Sequence, residues 1–127
     1  MKRQFVRSAS PFEERYGFSR AVRVGEVIRV AGTAPIPQDG APTPQGPFDQ
    51  MMLCGTIALA AIEELGGTEA GVVRTRMYIT DAAFADEVGR AHRQLFGQST
   101  PPATMVVVAA LLDPAWKVEI EVEALAG

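Results

Sequence analysis

The chain has 127 residues, a formal net charge of −3, one cysteine and one histidine. That length makes a single domain able to bury its own core, and the acidic balance argues against a general nucleic-acid binder, which needs a basic face. One cysteine excludes an internal disulfide, and one cysteine with one histidine excludes the usual zinc ligand sets, so no metal is expected. No apolar run approaches the ~20 residues that span a bilayer. The charged opening Met1–Arg7 is not followed by the apolar stretch of a secretory signal. A cytoplasmic protein with no membrane partner is the expectation.

Residues 1–16 mix charge and aromatics without a period and read as an arm ahead of a domain at 17–127. Phe18 to Val24 is a first strand, Gly25-Glu26 a two-residue turn in which glycine supplies a positive φ, and Val27 to Ala31 the returning strand. Five prolines between Pro35 and Pro47 then rule out helix and central strand.

Asp49 is placed to cap a helix ending near Leu65, with Cys54, Ile57, Ala58, Ala61, Ile62 and Leu65 on its inner stripe. Cys54 belongs to that stripe, so it reads as a small buried hydrophobe rather than a nucleophile. Val72 to Thr80 alternates as a third strand, with Val73, Thr75, Met77 and Ile79 on one face and Val72, Arg74, Arg76 and Tyr78 on the other. Thr80-Asp81 heads a second helix with the stripe Phe84, Val88, Ala91 and Leu95, closed by Gly97. His92 flanks this stripe without an acidic or thiol partner in local register and reads as a structural or surface residue rather than a catalytic one.

After Pro101-Pro102, the apolar run Ala103 to Val108 is a buried strand. Asp113-Pro114 marks a turn, and Val118, Ile120 and Val122 then alternate with Glu119, Glu121 and Glu123. The chain is expected to close on these two strands side by side. The fold class is therefore α+β, in the order ββ-α-β-α-ββ, with both helices on one face of a single sheet. The other face carries Arg74, Arg76, Tyr78 and the three glutamates, and such a semi-polar face invites oligomerisation. The first account of Arg74 and Arg76 is that they neutralise that glutamate column across strands.

Several stretches together resemble the RidA/YjgF family, the reactive intermediate deaminases, also called the endoribonuclease L-PSP family. They are Ser19-Arg20-Ala21-Val22-Arg23-Val24-Gly25, Val30-Ala31-Gly32 with the proline loop, Leu65-Gly66-Gly67, Val72 through Asp81, Pro102-Ala103-Thr104-Met105 and Val118-Glu119-Ile120-Glu121. The resemblance implies a chorismate-mutase-like fold, a homotrimer with three clefts between subunits, and cofactor-free hydrolysis of imines and enamines such as 2-aminoacrylate. In that chemistry an arginine fork grips the substrate carboxylate and a glutamate orients water.

Carried over residue by residue, the water-orienting carboxylate falls on Glu119, the second-strand glycine on Gly32, and the hydroxyl after the arginine position on Thr104. The arginine itself falls on Ala103, and the family's first-strand tyrosine on Phe18. No arginine follows Arg93 anywhere in the chain, so the resemblance places it in an arginine-lacking branch. A charge-assisted contact of this kind is worth about 1.5–3 kcal/mol, or roughly tenfold to two-hundredfold in affinity.

Two readings follow. One is a protein that binds a small molecule, an imine or enamine among the candidates, without turning it over. The other is an imine or enamine hydrolase acting on another substrate, with Glu119 orienting water and Arg76 or Arg20 replacing the lost grip. The acidic balance and single histidine weigh against RNA as a partner.

Overall fold

A computed structural model describes residues 2–127. Six strands form one sheet in the order β1-β2-β3-β6-β4-β5, and three helices accompany it. The strands are β1 (Arg3–Val6), β2 (Ala21–Val24), β3 (Val27–Thr33), β4 (Val72–Ile79), β5 (Ala103–Val107) and β6 (Val118–Leu125). The helices are α1 (Pro11–Tyr16), α2 (Pro47–Glu64) and α3 (Ala85–Phe96). The α+β class and the ββ-α-β-α-ββ order hold from β2 onward. The first sixteen residues add an edge strand and a short helix to them.

β1 has no legible period because only Val6 of its four residues is buried. It pairs antiparallel with β2, Phe5 opposite Val22 and Val6 opposite Ala21. The Ser10 side chain caps α1 by accepting from the Phe12 N–H, Pro11 opens the helix, and Gly17 closes it at φ +78°. The expected β2–β3 hairpin is present, with Val24 opposite Val27 and Gly25 at φ +61°. α2 starts two residues before Asp49, because Pro47 suits a first helical position and Gly46 takes the extended cap conformation.

Two expectations about strands are corrected. β5 and β6 are not neighbours: β4 lies between them, antiparallel to β6 and parallel to β5. A parallel pair needs a long crossover, and α3 supplies it. β5 is also an edge strand with mostly exposed side chains in the protomer, rather than a buried one. In β4 the register slips between Val72 and Arg74. Val72 is consequently buried and Val73 turns outward at 42% exposure, the reverse of strict alternation.

The core lies between the sheet and the inner faces of α2 and α3. Ile28, Met77, Ile79, Val118, Ile120 and Val122 meet Met51, Cys54, Ile62, Val88, Leu95 and Phe96 there. Ile57, expected on the α2 stripe, is only half-buried. Gln50 is fully buried and makes three hydrogen bonds to two segments: it donates to the carbonyls of Pro44 (2.8 Å) and Ala115 (2.9 Å) and accepts from the Lys117 N–H (2.7 Å). This amide anchors the proline-rich loop to the base of β6. No helix among the described residues is long and apolar enough to cross a membrane.

Candidate functional site

The sheet face away from α2 and α3 carries a row of charges on its middle strands. Pairing of β6 with β4 sets Glu119 opposite Tyr78, Glu121 opposite Arg76, and Glu123 opposite Arg74. Glu123 accepts from Arg29 of β3 at 3.2 Å. Glu121 accepts from the Tyr78 hydroxyl and lies 4.0 Å from the Arg76 guanidinium. The bridging of the glutamate column across strands thus holds for Arg76, with Arg29 as the second cation. Arg74 instead donates to Thr104 Oγ1 at 3.1 Å, and among the described residues it has no carboxylate within bridging range.

Glu119 is the exception in the column. It is half-buried, and among the described residues nothing donates a hydrogen bond to its carboxylate. Burial pushes its carboxyl above the ordinary carboxylate range; the Arg20 cation opposes that rise and the Glu121 charge adds to it. Its Oε2 occupies the space where a Cβ would stand at Gly32. The β3–β6 register shifts between Val30 and Thr33, so Gly32 sits in an irregular stretch of β3 beside Glu119.

Arg20 lies directly behind Gly32. It is 3% exposed, and its Nε is 3.2 Å from Glu13 Oε2, with Glu13 2% exposed. Its Nη1 donates to the Gly32 carbonyl at 2.6 Å and to Thr33 Oγ1 at 2.8 Å. Glu13 in turn accepts from the Ser8 amide (3.0 Å) and the Ser8 hydroxyl. The Phe18 ring lies 5.7 Å from the Arg20 guanidinium. Phe18 also lines a shallow depression of about 320 Å³ with Phe5, Val22 and Arg29 on the same sheet face.

The structure therefore brings Glu119 and Gly32 together, with Arg20 and Phe18 next to them, and sets Arg76 one step along the sheet. It divides the remaining pair. Thr104 is opposite Arg76 on the charged face, whereas Ala103 is opposite Thr75, whose side chain is buried toward α3. A side chain at Ala103 thus leaves the sheet on the helix side, away from Glu119. Arg20, one of two candidates for a replacement anion grip, is already engaged by Glu13, Gly32 and Thr33.

His92 Nε2 lies 2.8 Å from Thr75 Oγ1, and burial lowers its affinity for a proton, in keeping with a structural role. No group of three or more His, Cys, Asp or Glu able to hold a metal is present among the described residues. Glu13 was missed in the sequence. Its one available signal was position: an acidic residue three places after Ser10, before an apolar strand.

Comparison with known proteins agrees with this architecture. The family model described as endoribonuclease L-PSP matches residues 9–126. An uncharacterised protein of Streptomyces coelicolor is 38% identical over 122 residues, spanning 96% of this chain and 91% of that protein. A RutC family protein of Pyrococcus abyssi is 30% identical over 110 residues, spanning 86% and 84%. The crystal structure of a YjgF family member from Mycobacterium tuberculosis superposes with a TM-score of 0.89 at 39% identity, covering 98% of this chain and all of that one. The chain belongs to the endoribonuclease L-PSP family, the RidA/YjgF proteins.

Proposed function

We infer that this protein binds a small molecule in clefts between the subunits of a homotrimer, and that it is a poor deaminase of 2-aminoacrylate and 2-iminobutyrate. The observation that supports this is the state of the cations around Glu119. Arg20 is buried against Glu13, and Arg29 and Arg76 face Glu123 and Glu121. Arg74 is four residues along β4 from Tyr78, the residue opposite Glu119, a separation of about 13 Å at strand rise. A three- or four-carbon imino acid does not span that distance within one protomer. A ligand with an N–H donor and no carboxylate fits this arrangement better than an anionic one.

The second reading, an imine or enamine hydrolase for a different substrate, is favoured by Glu119 itself. A half-buried carboxylate that takes no hydrogen bond from the described residues is free to accept from a water molecule and hold it near an imine carbon. Neither reading calls for a cofactor.

Two measurements test the proposal. Calorimetry with 2-oxobutyrate, the product of 2-iminobutyrate hydrolysis, should show binding weaker than in an arginine-bearing relative by about tenfold to two-hundredfold. A coupled assay that generates the imine in situ should show turnover far below that relative. Thr104→Arg, which projects on the Glu119 face, should restore more activity than Ala103→Arg. Wild-type turnover equal to the relative's, abolished by Glu119→Gln, would replace the binding reading with the hydrolase one.

A further inference from the structure

The geometry points to the buried Glu13–Arg20 pair as the positioning element of the Glu119 site, through which residues 8–20 set the place and charge of that carboxylate. The inference rests on the reading of Glu119 as the polar group of the ligand site.

The contacts made by the pair carry it. A buried ion pair gives little net stability against apolar side chains of the same volume, so its presence calls for another reason. Here the guanidinium does more than neutralise Glu13. Its Nη1 holds the Gly32 carbonyl and the Thr33 hydroxyl together, at 2.6 and 2.8 Å. That fixes β3 where its pairing with β6 is irregular, and Gly32 is the residue against which Glu119 Oε2 rests. The same cation attracts the Glu119 charge without touching it. Ser8 completes the chain of contacts by donating its amide and hydroxyl to Glu13. The path runs from Ser8 through Glu13 and Arg20 to Gly32 and ends on Glu119.

The charged and titratable groups that bear on Glu119 are Arg20 just before β2, Glu121 of β6, Tyr78 of β4 and the Cys54 thiol of α2. Of these, only Arg20 is a cation. Arg20 is a positioning residue, because both of its charged and hydrogen-bonding ends are used inside the protein.

The test is the titration of the Glu119 side-chain carboxyl, followed by carbon NMR in the full chain, together with the amide shifts of Gly32 and Thr33. Glu13→Gln/Arg20→Gln removes both charges at once and so leaves no buried charge unpaired. In it the Glu119 titration should move to higher pH and the Gly32 and Thr33 amides should shift. Glu13→Gln alone should move the titration the opposite way, to lower pH, because Arg20 is then less neutralised. Opposite directions are not the signature of general loosening. Unchanged Glu119 titration in both variants overturns the inference. If the double variant does not fold, Glu13→Gln decides alone: a downward move supports the inference and no move overturns it. Ligand binding is read separately with Glu119→Gln. Binding that survives that change while the titrations move as stated removes the ligand-site reading and leaves the positioning intact.

Discussion

Glu119 Oε2 fills the volume that a methyl group at Gly32 would need. The Gly32 carbonyl is held by Arg20, so relief must come from the Glu119 side chain, whose carboxylate end is the flexible partner of the two. Gly32→Ala should therefore cost about 1 kcal/mol, the low end of the range for forcing an extra carbon into a packed site, because the carboxylate can swing aside. In a Glu119→Ala background the same change should cost much less. A double-mutant cycle by denaturant unfolding gives the coupling, and equal costs in both backgrounds would refute the contact.

The Glu119 carboxyl has a raised affinity for its proton, mainly through burial. Folding therefore favours the protonated form. The corresponding stability is fully present below the ordinary carboxylate range and is lost as pH rises through the higher folded value. Glu119→Gln removes that dependence. The variant should match the wild type in acid and become the more stable of the two toward neutral pH. Denaturation at stepped pH checks this, and a variant less stable at pH 7 would mean that Arg20 outweighs burial.

A homotrimer would cover the open sheet face, where Phe5 is 56%, Val106 41% and Leu125 48% exposed in the protomer. Val106→Lys should forfeit about 1 kcal/mol of apolar burial per copy, since about two fifths of the side chain is left to cover, and move the population toward monomer. Sedimentation velocity at micromolar concentration reads the outcome. A stable wild-type monomer would remove the assembly, and with it the clefts between subunits.

Cys54 is wholly buried on α2, and burial first, then the Glu119 charge, raise its thiol far above the range where a thiolate forms. A thiol reagent should react with native protein only at the rate of transient opening, and rapidly once urea is added. Fast labelling of the native state would show that α2 is wrongly registered.

Most of the framework was legible because it depends on local pattern. The Gly25 turn and the stripes of α2 and α3 repeat at spacings that a chain reveals by itself. What escaped depends on partners distant in sequence. Glu13 looks like any charged residue until Arg20 folds onto it, and Gln50 is a surface type buried only because three carbonyl and amide groups converge on it. The slip at Val72–Arg74 inverts two valines that alternation alone had assigned. Strand order was hidden for the same reason: nothing in Ala103–Val107 states which neighbour it takes. In the candidate site, Glu119 and Gly32 were found as a pair through the family pattern. The division of Ala103 from Thr104 needed the register of β4.

β6 comes after the other five strands in the chain, yet it lies in the middle of the sheet, between β3 and β4. Until residues 118–125 have left the ribosome, the β1-β2-β3 and β4-β5 halves have no strand to join them, and α2 has no complete surface to cover. Each half exposes an apolar edge during that interval. Folding is thus closed by insertion of one central strand once residues 118–125 are available, with the slow, non-local pairing that such an order imposes. A chain cut before residue 118 would leave β3 and β4 without the strand that pairs with both.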